Sequence, residues 1–201
     1  MIAIIDYDAG NMKSVEKALH FLGKDYQVTD KREEILRADH VILPGVGAFG
    51  MAMEQLKERG LVEVLREVAG KGTPFLGVCL GMQLLFDESD EDPGVAGLSL
   101  LQGKIARIPT GTYEKIPHMG WNSLKITPGS RLFANVPDES FVYFVHSYYA
   151  HAHDRTAVAT TTSYNTEIDA AVEKGNLFGC QFHPEKSSET GLTILRNFVN
   201  L

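Results

Sequence analysis

Thr73-Pro74-Phe75-Leu76-Gly77-Val78-Cys79-Leu80-Gly81-Met82-Gln83 decides the fold. Residues 73–78 form a short apolar run of strand character, and 80–86 form an apolar stretch with helical spacing. A cysteine stands at the turn between them, in the pattern G-x-C-x-G. The serine equivalent of this pattern is a nucleophile elbow. Small residues flank the nucleophile there because the turn crowds the backbone, and the geometry aims the amide of the next residue, Leu80, at a reacting carbonyl. A helix N-terminus also favours a thiolate and a developing oxyanion. Taken alone, Cys79 reads equally well as a buried small hydrophobe, the common fate of a free cysteine.

Working outward, apolar runs alternate with amphipathic ones through the first half of the chain. Strands are predicted at 2–5, 25–29 and 40–43, and helices at 11–22 and 35–38. Helical periodicity over 51–70 is broken at Gly60. This β-α-β-α order implies a parallel sheet covered by helices on both faces, with any site at the carboxyl ends of the strands. From about residue 98 the texture becomes strand-like, at 104–108, 124–126, 141–150, 157–162 and 170–172, punctuated by proline and glycine. A last strand is predicted at 177–182 and a closing helix at 190–199. The expected fold is α/β, an open, mostly parallel central sheet flanked by helices, with an additional antiparallel region in the second half. With neither repeat nor linker, 1–201 reads as one domain.

Two other segments give the elbow chemical company. His183-Pro184-Glu185 follows the last strand. An imidazole there raises the thiolate population and returns a proton to a leaving amine, an effect typically worth ~10²–10⁴ in rate. Glu185 is placed to hold the ring tautomer, as carboxylates do in triads. Pro44-Gly45-Val46-Gly47 follows the strand at 40–43, and its glycines allow a backbone N–H to turn towards a substrate oxygen. The rival, a phosphate loop, lacks both the G-x-G-x-x-G spacing and a Walker lysine.

Bulk properties remove other classes. The 201 residues carry a net charge of −7 without a basic cluster, which argues against nucleic acid or an anionic membrane as the main partner. The first residues show no signal-peptide pattern, and no apolar run is long enough to span a bilayer. Cys79 and Cys180 are the only cysteines. They lie far apart without metal-ligand spacing, so neither a disulfide framework nor a metal site is expected and a cytoplasmic location is the default. No cofactor fingerprint is visible.

The elbow with Met82-Gln83, the Phe182-His183-Pro184-Glu185 turn and the Pro44–Gly47 loop together resemble the class I, or triad, glutamine amidotransferase family, over essentially the whole chain. Pro117-His118-Met119-Gly120-Trp121-Asn122 is similar to the branch of that family serving imidazole glycerol phosphate synthase, as are Ile4-Ile5-Asp6-Tyr7 and Val145-His146-Ser147-Tyr148. The resemblance implies a flavodoxin-like architecture and a glutaminase with Cys79 as nucleophile, His183 as base and Glu185 as its orienter. It implies an oxyanion site from the amides of Leu80 and of Val46 or Gly47. Gln83, Gly47, Ser147 and Tyr148 match positions that contact glutamine in relatives, and Glu91 is a candidate for its amino group. The implied partner is a cyclase subunit with a (β/α)₈ barrel, which takes the ammonia and forms a heterodimer with this chain. Trp121, in a stretch that reads as a loop, together with Tyr143, Asn11 and Lys186 matches positions facing that partner. A core Trp121 and a solvated Lys186 are the bland alternatives. The resemblance further predicts low activity for the isolated chain. Other readings are a glutaminase for a different synthase, such as pyridoxal phosphate or aminodeoxychorismate formation, and a cysteine hydrolase of similar fold.

Overall fold

The computed structural model describes residues 1–8, 12–111 and 115–201. Asn11, expected at a partner surface, lies outside the described residues. In chain order the first half runs β1 (Ile2–Ile5), α1 (Met12–Phe21), β2 (Tyr26–Thr29), α2 (Arg32–Arg37), β3 (His40–Gly45), α3 (Phe49–Glu58), α4 (Leu61–Gly70), β4 (Phe75–Cys79) and α5 (Leu80–Gln83). The second half runs β5 (Glu88–Ser89), β6 (Gly103–Arg107), β7 (His118–Ser123), β8 (Lys125–Ile126), β9 (Phe141–His146), β10 (Tyr148–Ala152), β11 (Val158–Tyr164), β12 (Thr166–Lys174), β13 (Leu177–Cys180) and α6 (Ser188–Phe198).

Strands β2-β1-β3-β4-β13 pair in parallel and form the half of the main sheet that carries the elbow. β12 joins β13 antiparallel and leads on to β10 and β6, with β5 at the far edge. β1 and β4 are buried throughout, as expected of strands covered on both faces. One face packs on α2, α3 and α4, through Ile35, Met53, Leu56, Val64, Leu65 and Val68. The other packs on α1 and α6, through Val15, Leu19, Ile194, Leu195 and Phe198. Full burial of each large aliphatic or aromatic side chain in these layers is worth ~1.5–3 kcal/mol. Gly60, left-handed at φ 66°, makes the break between α3 and α4.

Several elements differ from their sequence reading. The helix expected at 35–38 starts earlier, at Arg32, with Glu33 and Glu34 in its first turn, where acidic groups favour a helix start. The helix expected over 80–86 ends at Gln83, because residues 97–101 occupy the following carbonyls. Leu98 N–H donates to Leu84 O at 2.8 Å, Leu100 N–H to Leu85 O at 2.9 Å and Ser99 N–H to Phe86 O at 3.2 Å. The strand expected over 141–150 is two strands that part at Ser147, and β9 leaves the main sheet. The 117–122 stretch, read as a loop, contains β7, which pairs with β9 as a separate antiparallel ribbon.

Candidate active site

Three adjacent strands of the parallel half bring the elbow, the glycine loop and the histidine turn to one edge. β4 ends on Cys79, directly opposite Gly45 at the end of β3. On the other side Val78 pairs with Cys180 of β13, which places His183 three residues beyond the same edge. Sequence-distant segments converge because parallel neighbours end together.

The elbow is strained in the way a nucleophile turn requires. Cys79 has φ 54° and ψ −111°, a region costly for a side-chain-bearing residue. Its flanking glycines are imposed by contact. A Cβ on Gly77 would stand 2.5 Å from the Gly81 carbonyl oxygen, and one on Gly81 would stand 1.8 Å from the Leu43 carbonyl oxygen. With α5 reduced to one turn, the helix-dipole contribution expected here shrinks to the local peptides at Leu80 and Gly81.

His183 Nδ1 lies 2.7 Å from Glu185 Oε1, and both side chains are almost fully buried. Nδ1 therefore donates to the carboxylate, and Nε2 is left towards the pocket as the nitrogen that gives or takes a proton. Nε2 is buried and has no hydrogen-bond partner among the described residues. The Cys79 sulfur is close enough to act on the ring's charge, and it also has the Val145 carbonyl at 3.9 Å and the Gln181 amide at 3.8 Å. Burial disfavours a charged His183, but the Cys79 sulfur and the Glu185 carboxylate outweigh it and hold the ring's pKa up to about 10. A protonated imidazole beside the sulfur is the partner that a thiolate needs. The turn is locked from outside: His183 N–H donates to Tyr143 O at 3.0 Å, and the Ser187 hydroxyl donates to His183 O at 2.7 Å.

A cavity of about 290 Å³ opens on the sulfur. Val46, Gly47, Cys79, Leu80, Gln83, Glu91, Ser147, Tyr148 and His183 are among the residues that line it. All the residues expected at the triad, oxyanion and substrate positions therefore border this space, apart from Glu185, which stands behind His183. Gly47 is left-handed at φ 98°, and Val46 beside it is exposed. One Glu91 oxygen caps α3 by accepting the Phe49 amide at 2.9 Å, so this carboxylate also ties the glycine loop to the cavity rim.

Two participants escaped the sequence reading. Gln181, fully buried, accepts from Gln83 Nε2 at 3.0 Å while its own amide points at the sulfur. Its signal was a lone polar residue in the apolar run Leu177–Phe182. Tyr7 lies beneath the glycine loop, its hydroxyl donating to Pro44 O at 2.8 Å. Burial first, and then the nearby Cys79, push its phenol pKa well above the ordinary range.

Trp121 and Tyr143 face each other across β7 and β9, with ring centroids 6.1 Å apart at 71°. They share an outward face with Met119 and Phe141. Met119, Trp121 and Phe141 are each more than half exposed. Trp121 is thus not a core tryptophan. Lys186 is exposed beside the His183 turn. Among the described residues no group of His, Cys, Asp or Glu side chains is arranged to hold a metal ion, and no helix is long and apolar enough to cross a membrane.

The family model for class I glutamine amidotransferases matches residues 3–201. The chain belongs to that family. It is 54% identical over 198 residues to the imidazole glycerol phosphate synthase subunit HisH of Bacillus cereus, covering 98% of this chain and 93% of the relative. The subunit of the same name from Moorella thermoacetica is 52% identical over 200 residues, covering 100% and 94%. A solved glutamine amidotransferase superposes with a TM-score of 0.77 over 100% of this chain and 98% of its own, at 17% identity, and so shares the fold.

Proposed function

We propose that this chain is the glutaminase subunit of an imidazole glycerol phosphate synthase in histidine biosynthesis, hydrolysing L-glutamine to glutamate and ammonia. The observation that carries the chemistry is the convergence of Cys79 and His183, the latter backed by Glu185, on a cavity that the glycine loop also lines. At about 290 Å³ the space falls near the ~300 Å³ lower end for small-molecule sites, which suits one amino acid better than a polypeptide.

In this reading the Cys79 sulfur attacks the side-chain carboxamide carbon and the oxygen takes the negative charge. The amides of Leu80 and of Val46 or Gly47 receive that charge; one such donor is typically worth ~3–4 kcal/mol. His183 Nε2 delivers its proton to the departing nitrogen, and ammonia leaves a glutamyl thioester on Cys79. Water, deprotonated by the same nitrogen, then releases glutamate and restores the thiol. Glu185 holds the ring so that Nε2 faces the sulfur throughout.

The ammonia passes to a cyclase subunit of (β/α)₈ barrel fold. The outward face of the β7–β9 ribbon suits such a partner, with an exposed tryptophan beside a tyrosine and two apolar neighbours. Lys186 adds a positive charge at its border. The 46–47 peptide is exposed and glycine-hinged, so the chain alone is expected to release glutamate slowly and its complex rapidly. Cys79→Ala should abolish glutamine use while the assembled complex still accepts ammonium salts. Persistent glutamate release by that variant would overturn the assignment of the nucleophile.

A further inference from the structure

The face of the ribbon opposite Trp121 carries two buried histidines. His118 and His146 are direct cross-strand partners, 2% and 6% exposed. His118 Nδ1 lies 2.9 Å from His146 Nε2, and His146 Nδ1 lies 2.8 Å from the Tyr148 carbonyl oxygen. A carbonyl oxygen only accepts, so His146 carries its proton on Nδ1, and in the neutral ring Nε2 is an acceptor. His118 must then donate from Nδ1, which leaves its Nε2 to accept from the Asn122 amide at 3.4 Å. Each proton position fixes the next. Burial keeps both rings neutral, lowering His118 to about 4 and His146 to about 3. The His118 ring is also clamped between Phe144 and Tyr164, with centroids 4.5 and 3.9 Å away and both pairs stacked.

The other end of this chain of bonds is the pocket. The Tyr148 carbonyl that accepts from His146 also accepts from Gln83 Nε2 at 2.9 Å. The same Gln83 amide group donates to Gln181, whose own amide faces the Cys79 sulfur. His146, Ser147 and Tyr148 line the cavity where β9 gives way to β10.

We infer that His118 and His146 are positioning residues for glutamine hydrolysis. They form a directional relay of hydrogen bonds that runs from the strand bearing Trp121 to the Tyr148 carbonyl and sets the Ser147–Tyr148 wall of the substrate pocket. The inference rests on the glutaminase reading. Neither histidine of the relay hydrogen-bonds to the sulfur or the triad base, so its loss should weaken substrate binding more than turnover. His118→Phe keeps the ring stack but removes the donor, leaving the buried His146 Nε2 without a partner and free to change tautomer. His118→Asn places an amide N–H where Nδ1–H stood.

The test is glutamate release by the chain assembled with its cyclase, measured across glutamine concentrations. His118→Phe should raise KM about tenfold with kcat within about threefold, as expected for loss of one buried hydrogen bond that acts on binding. His118→Asn should bring KM back to within about threefold of the parent. An unchanged KM in a folded His118→Phe complex, a loss confined to kcat, or no rescue by asparagine overturns the relay. A parent complex that releases no glutamate refutes the glutaminase reading itself. Independently of any variant, histidine side-chain ¹⁵N shifts at neutral pH should show both rings as Nδ1–H tautomers; an Nε2–H tautomer on either overturns the relay.

Discussion

Gly81→Ala is the most direct probe of the elbow. The added Cβ would stand 1.8 Å from the Leu43 carbonyl oxygen and 2.8 Å from its carbon, both backbone atoms of β3. Reaching the ~3.3 Å of an ordinary carbon–oxygen contact requires about 1.5 Å of separation between α5 and β3. Neither side yields easily: Leu43 sits in the middle of the parallel sheet, and Leu80, Met82 and Gln83 are buried. Overpacking of this kind costs ~1–3 kcal/mol or more in stability. The catalytic penalty should be larger, because the displaced turn carries the Cys79 sulfur and the Leu80 amide together. A misplacement of ~1 Å can cost ~10² in rate, so kcat/KM for glutamine should fall at least about a hundredfold. Denaturant unfolding and glutamate release by the complex measure the two losses. A variant with the parent's unfolding midpoint and a rate within threefold would refute the claim that glycine is required here by backbone contact.

Trp121→Ala should weaken association with the cyclase by ~2 kcal/mol or more, about thirtyfold in Kd, while leaving the free chain's stability unchanged; titration of one subunit with the other measures it. The buried histidine pair should make folding acid-sensitive. Burial depresses both folded pKa values below the ~6.5 of an unfolded histidine, so their contribution is present above that pH and is lost as pH falls towards about 4 and about 3. Each ring should cost up to ~2 kcal/mol between pH 7 and 5, and His118→Asn should remove its share in denaturant unfolding at the two pH values. His183 has the opposite sign: raised to about 10, its contribution is present below ~6.5 and is lost as pH rises through about 10.

The sequence was most legible where chemistry and local structure coincide. The G-x-C-x-G turn, the His183–Glu185 pair and the Pro44–Gly47 loop each announce themselves within a few residues, and β-α alternation brings their strand ends to one edge. β7 was missed because Pro117, Gly120 and Asn122 read as a turn. Its inward residues are two polar side chains and a glycine, stabilised by cross-strand partners on β9 that no local window contains. The short α5 had a similar cause, since the carbonyls of Leu84, Leu85 and Phe86 just beyond it are taken by residues 98–101. Gln181 and Tyr7 look like ordinary strand residues, and their importance lies in contacts with Gln83, Cys79 and Pro44 that only the tertiary fold creates.

The placement of β9 gives the exposed aromatic face a short physical route to the nucleophile. Tyr143 turns outward to Trp121, yet its carbonyl accepts the His183 amide and its own amide donates to Ser187. Two residues further on, the Val145 carbonyl lies 3.9 Å from the Cys79 sulfur. A partner that shifted this strand along its axis would displace the His183 turn through its 3.0 Å backbone bond to Tyr143 and move the Val145 carbonyl beside the sulfur. The glycine loop hangs from a different strand and is tied down by Tyr7 and Glu91 instead. Movement of β9 would thus shift the His183 turn and the Val145 carbonyl relative to Cys79 and the glycine loop, which end the adjacent strands β4 and β3. If the cyclase of the proposed function docks on the ribbon, that relative motion would suffice for activation without rearrangement of the parallel sheet.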